Sequence, residues 1–124
     1  MMNEGIEMLL GKTLKSIDQE RNDHLRFVCE DGDIFEMFHY KDCCESVTIE
    51  DICGDLSNLI GTPIVMAEEV TNSDEPGKEY SESYTWTFYK LATAKGYVTI
   101  RWYGESNGYY SESVDFWLVT PKKH

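Results

Sequence analysis

The sequence lacks any apolar run long enough to cross a bilayer, and its amino terminus, MMNEGIEMLLGK, is acidic where a secretory signal would be basic. These absences lead to the expectation of a soluble protein of the cytoplasm with no membrane association. Positive charge is also scarce. The 11 Lys and Arg residues face 23 Asp and Glu residues, which leaves a net charge of −12 at neutral pH. Attachment to duplex phosphates depends on Lys and Arg displacing condensed counterions, so general nucleic-acid binding is excluded. A small anion in a local basic pocket stays compatible with this charge, as does a basic protein surface reached by electrostatic steering. Several catalytic signatures are missing too: there is no Asp-x-Asp-x-Asp-Gly calcium loop, no phosphate-cradling glycine loop, no Gly-x-Ser-x-Gly elbow and no zinc-protease helix. The reading leans away from an enzyme, and no cofactor is expected.

What is present argues for one folded domain over residues 1–124. The chain is 41% hydrophobic and carries 8 Tyr, 5 Phe and 3 Trp, too much apolar surface to stay in water. Residues 2–10 suggest a short helix with Asn3 as N-cap and Gly11 at its end. Strands are expected at 13–20, 24–30, 34–40, 47–52, 64–71 and 85–94, the second and third joined through Asp31-Gly32. Asp55 caps a second short helical stretch that Gly61 closes. Residues 72–83 read as an exposed loop, and 120–124 as a polar tail. Residues 96–118 read as one hairpin turning through Gly104-Glu105-Ser106-Asn107-Gly108, completing a three-stranded meander with 85–94. The expected fold class is α+β, mainly antiparallel β, a curled or two-layer sheet of about six to eight strands with one or two short helices.

Two groups of residues are candidates for chemistry. In the final hairpin, Arg101, Tyr103, Asn107, Tyr109, Tyr110 and Ser111 place a guanidinium, aromatic faces and a hydroxyl near one turn, a set able to stack a base and hold a phosphate. If Ile100 and Trp102 face the core, Arg101 and Tyr103 face outward. Cross-strand tyrosine pairing is the structural alternative. His39 and Asp42 are the further residues expected to line such a ligand site. The second group runs from His39 to Cys53 and collects imidazole, thiols and carboxylates, namely His39, Asp42, Cys43, Cys44, Glu45 and Cys53. It supports the alternative of a metal- or thiol-dependent enzyme centred on His39, Cys43, Cys44 and Cys53. Adjacent Cys43 and Cys44 point to opposite sides of an extended chain and do not have zinc-ribbon spacing, so core packing of one thiol competes with that reading. With Cys29, the chain has four cysteines and no export signal, which favours thiols or ligands over disulfides.

Several blocks carry a resemblance. They are Phe38-His39 with Asp42-Cys43-Cys44-Glu45-Ser46-Val47, then Ile49-Glu50-Asp51-Ile52-Cys53-Gly54-Asp55-Leu56 with Leu59-Ile60-Gly61-Thr62-Pro63-Ile64. Trp86-Thr87-Phe88-Tyr89 and the run from Gly96 to Gly104 with Ser106-Asn107-Gly108-Tyr109-Tyr110-Ser111 complete them. Together they resemble a family of small uncharacterised proteins carried by bacteriophages and bacterial genomes, over residues 11–116. The resemblance implies a phage setting, in the cytoplasm of a host cell, and supplies no catalytic residue. The expectation it carries is a non-enzymatic binding protein that interferes with host antiviral defence. Such a protein would sequester a small nucleotide signal through Arg101 and a tyrosine, or block a host protein through its carboxylates. A structural module forming a homo-oligomer through exposed sheet edges is the remaining alternative.

Overall fold

Among the described residues the alternating pattern of the sequence becomes eight strands: β1 (Leu14–Arg21), β2 (His24–Cys29), β3 (Ile34–Phe38), β4 (Ser46–Cys53), β5 (Met66–Asp74), β6 (Ser83–Thr93), β7 (Gly96–Ser106) and β8 (Asp115–Leu118). The computed structural model describes residues 5–40, 45–74, 83–106 and 112–119. The strands form two four-stranded sheets, ordered β1-β2-β3-β8 and β4-β7-β6-β5, and every pairing between strands is antiparallel. The only helical elements among the described residues are 3-10 turns at Ile6–Leu9 and Leu56–Leu59. The expected mainly antiparallel β architecture therefore holds, and over the described residues each expected helix is a single tight turn. Asp55 caps the second one by accepting the Ser57 N–H at 3.0 Å, while Gly11 and Gly61 follow the two turns with φ of +83° and +93°, a conformation that favours glycine. Asn3 lies outside the described residues. No helix among them is long and apolar enough to cross a membrane.

Period-2 patterning builds one core from the inner faces of both sheets. Leu25, Phe27, Cys29, Phe35, Met37 and Phe116 come from the first sheet, and Val47, Ile49, Tyr89, Leu91, Val98, Ile100 and Trp102 from the second. Trp102 is fully buried and donates its indole N–H to the Met37 sulfur at 3.2 Å, bridging the layers.

Residues 96–118 do not form the expected hairpin. β7 lies between β6 and β4, and the final arm, β8, crosses to the first sheet and pairs with β3. Burial decides this outcome. A four-residue strand gains little from either sheet edge, whereas placing Phe116 beside β3 stacks it on Phe35 at 5.1 Å and edge-on to Phe27 at 5.8 Å; burying such a ring is worth roughly 1.5–3 kcal/mol. The meander is instead β5-β6-β7. β5 and β6 also run further than expected, so Asn72 to Asp74 and Ser83 are strand rather than loop. Residues 75–82 and 120–124 lie outside the described residues.

Candidate functional site

Alternation along β6 and β7 sorts their side chains cleanly. Tyr89, Leu91, Ile100 and Trp102 point inward and are buried, which leaves Tyr84, Trp86, Phe88, Arg101 and Tyr103 on the outer face of the second sheet. The pairing register sets Trp86 opposite Tyr103 and Phe88 opposite Arg101, with Val70 and Asn72 of β5 beside Phe88 and Trp86. The Trp86 and Tyr103 ring centroids are 4.7 Å apart, Tyr84 lies 6.1 Å from Tyr103, and Phe88 stacks at 6.5 Å from Trp86. The Arg101 guanidinium lies 5.3 Å from the Trp86 ring centroid, within cation–π reach. The outer face is thus a half-buried aromatic stripe with one arginine on it.

A bulge in β4 determines the electrostatics around that arginine. The register passes from Ile49 opposite Trp102 to Asp51 opposite Arg101, so Glu50 is the extra residue, and the kink brings two consecutive carboxylates to one guanidinium. Arg101 Nη2 donates to Glu50 Oε1 at 2.9 Å and sits 3.8 Å from Asp51 Oδ2. Each exposed pair is worth only ~0–1 kcal/mol, so pairing by itself would not stop an anion from competing. The sum of charge weighs more: Lys90 and Arg101 share this face with Glu50, Asp51, Glu68 and Glu105. A phosphate approaching Arg101 meets a net negative field. The Tyr103 hydroxyl donates to Glu105 at 3.2 Å, and burial together with that carboxylate pushes its ionisation above the usual tyrosine range.

Arg101 and Tyr103 face outward as the sequence predicts, and His39 does not join them. Its Nε2 lies 2.6 Å from Oε2 of Glu45, the residue just before β4 and buried like Val47 and Ile49, and its Nδ1 lies 2.7 Å from the Ser113 carbonyl oxygen. The His39 and Glu45 side chains are only 5% and 1% exposed. Asn107, Tyr109, Tyr110 and Ser111 lie outside the described residues, as do Asp42, Cys43 and Cys44. Cys53 ends β4 at the opposite extreme from Glu45. At about 3.3 Å per residue the separation along the strand exceeds ~20 Å, so His39 and Cys53 cannot share one metal ion. Among the described residues no group of three or more His, Cys, Asp or Glu side chains is placed to hold a metal.

Elsewhere, an open depression of about 400 Å³ is lined by Leu10, Gly11, Lys12, Thr13, Glu30 and Asp31. Its cation is also committed, because Lys12 Nζ donates to Asp31 at 2.7 Å and to Asp33 at 2.6 Å. These bonds raise the lysine well above its usual range and hold Asp31 below the usual carboxylate range.

Sequence reasoning missed Tyr84, Trp86, Phe88 and Glu50 as parts of the outer face. The signal was present in the alternation of β6, which already places Trp86 and Phe88 on one side. Joining them to Arg101 and Tyr103 requires the β6–β7 register, and reaching Glu50 requires the bulge.

The family model described as a domain of unknown function, DUF7448, matches residues 7–116. The chain matches no curated protein and no solved structure. The family match takes in all of β1 to β7 and the first two residues of β8, and the chain belongs to this DUF7448 family.

Proposed function

We propose that this chain is a non-enzymatic binding protein that occupies a basic surface of a partner protein with the outer face of its second sheet. One observation carries the reading. The Nη2 group of the stripe's single arginine is paired with Glu50 and lies near Asp51, so the face offers ring surface under a net negative charge. Aromatic side chains on a solvent-facing sheet supply contact area at low entropic cost, and opposite charge speeds encounter. The overall charge of −12 acts in the same direction. On the resemblance to small proteins of bacteriophages and bacterial genomes, the partner we propose is a host defence protein, blocked in the host cytoplasm.

Nucleotide sequestration is the second reading, favoured by the Trp86–Tyr103 pair and the guanidinium over the Trp86 ring. Thermal unfolding with a panel of linear and cyclic nucleotides separates the two, because a ligand that binds only the folded state raises the midpoint. The blocking reading expects no shift with any of them. A reproducible, concentration-dependent rise with one nucleotide, lost in Arg101→Ala, replaces it with sequestration.

A further inference from the structure

The four sheet edges are not alike. An unpaired strand edge is a template for another strand, and proteins blunt such edges with bulges, short length or covering segments. β8 has four residues, and β1 has register irregularities between Leu14 and Ser16 and between Gln19 and Arg21. β4 carries the Glu50 bulge, and its Ile49 N–H is already taken by the Asn22 carbonyl. β5 has neither a bulge nor a short length. It runs nine residues in unbroken register with β6, it is the terminal strand of its sheet, and residues 68–72 are exposed on both faces. Its approach is covered where Gly11 and Lys12 exchange backbone bonds with Ile64, and the 3-10 turn Ile6–Leu9 packs against β5 itself without taking part in its ladder. Beyond that point no described strand pairs with its second edge.

We propose that the second edge of β5, paired with no described strand, accepts an extended, basic segment of a partner protein as a fifth strand of the second sheet. In such pairing main-chain bonds provide affinity, and alternate side chains provide choice. The side chains of this edge specify the guest. Glu68 and Glu69 place a carboxylate on each face of the sheet at adjacent positions, and the 42% exposed Val70 continues the apolar strip of Phe88. Glu69 faces inward beside Tyr89, whose hydroxyl lies 3.4 Å away. A second copy of this chain would bring another −12 charge and the same two carboxylates to one seam, whereas a strand bearing lysine or arginine is drawn there. The proposal rests on the binding-protein reading above and adds to it a second contact, at an edge rather than on a face.

The test uses the full chain and a peptide that alternates lysine and threonine, followed by amide hydrogen exchange at low ionic strength. Strand addition is expected to slow exchange about tenfold or more at alternate amides within 67–74, because only a paired backbone protects them. Glu68→Lys/Glu69→Lys, checked for an unchanged far-UV spectrum, is expected to abolish both binding and protection. Peptide binding without amide protection overturns the edge proposal and leaves the face reading in place. Absence of binding also overturns it, as does protection that arises without peptide in a species of doubled mass. The face reading is tested independently by variants of Trp86 and Tyr103.

Discussion

His39 joins the two places at which the chain changes sheets: its Nε2 lies 2.6 Å from Glu45, on the crossing from β3 to β4, and its Nδ1 lies 2.7 Å from the Ser113 carbonyl, on the approach to β8. A carbonyl oxygen only accepts, so Nδ1 carries a proton, and the remaining nitrogen shares another with the carboxylate. The neighbouring Tyr40 N–H adds a bond to Asp115 at 2.9 Å. An imidazole with both nitrogens hydrogen-bonded in the interior acts as a clasp between the two crossings.

Removing one member of that buried pair should be costly. His39→Ala removes the imidazole from the buried Glu45 carboxylate and from the Ser113 carbonyl, and the expected loss is about 3–5 kcal/mol in urea unfolding. Glu45→Gln keeps a hydrogen-bonding group of the same shape and should cost less than His39→Ala. A loss below about 1 kcal/mol for His39→Ala would show that the crossings are held by other contacts.

Glu69 offers a pH signature whose sign is fixed. Burial is the main cause raising its pKa above the ordinary 4.5, with Glu7 adding to it and the Tyr89 hydroxyl opposing. A carboxyl whose folded pKa is raised contributes stability below its unfolded value and loses it as pH climbs through the folded one. Glu69→Gln should therefore gain on the wild type at neutral pH, and the advantage should vanish in acid. Unfolding midpoints measured from pH 3 to pH 7 check this, on the scale of ordinary carboxylate titration. A variant that trails the wild type at pH 7 contradicts the assignment.

The described thiols should differ sharply in reactivity. Burial, aided by Asp31, pushes the Cys29 thiol up to about 11, whereas Cys53 is exposed at the end of β4. Only the thiolate attacks, so an alkylating reagent at neutral pH should mark Cys53 in the native protein and Cys29 only after unfolding. Peptide mapping by mass spectrometry reads the result. Rapid native labelling of Cys29 would mean that the first sheet opens far more readily than its packing implies.

Local chemistry was legible in the sequence wherever it acts through near neighbours. The alternation of Leu25, Phe27 and Cys29 gave β2, Asp31-Gly32 gave its turn, and Asp55 with Gly61 bounded the second 3-10 turn. The outward placement of Arg101 followed from the inward placement of Ile100 and Trp102. Choices between distant partners were not legible. Asn107-Gly108 signals a hairpin locally, yet β8 is claimed by the Phe27 and Phe35 rings across the molecule. Likewise the pairing of Arg101 with Glu50 depends on one extra residue in a strand 51 positions away in the chain, where the alternation of Val47 and Ile49 with Thr48 and Glu50 does not reveal the partner strand.

The central claim is that the stripe of Trp86 and Tyr103 is the surface that engages a basic partner. The most direct measurement compares capture of proteins from a cell lysate by the immobilised wild type, by Trp86→Ala/Tyr103→Ala, and by a control with Lys15→Ala on β1 in the other sheet. The account predicts one basic protein retained by the wild type and the control, released as salt is raised, and lost by the double variant. Undiminished capture by the double variant, or a retained partner that is acidic, contradicts it.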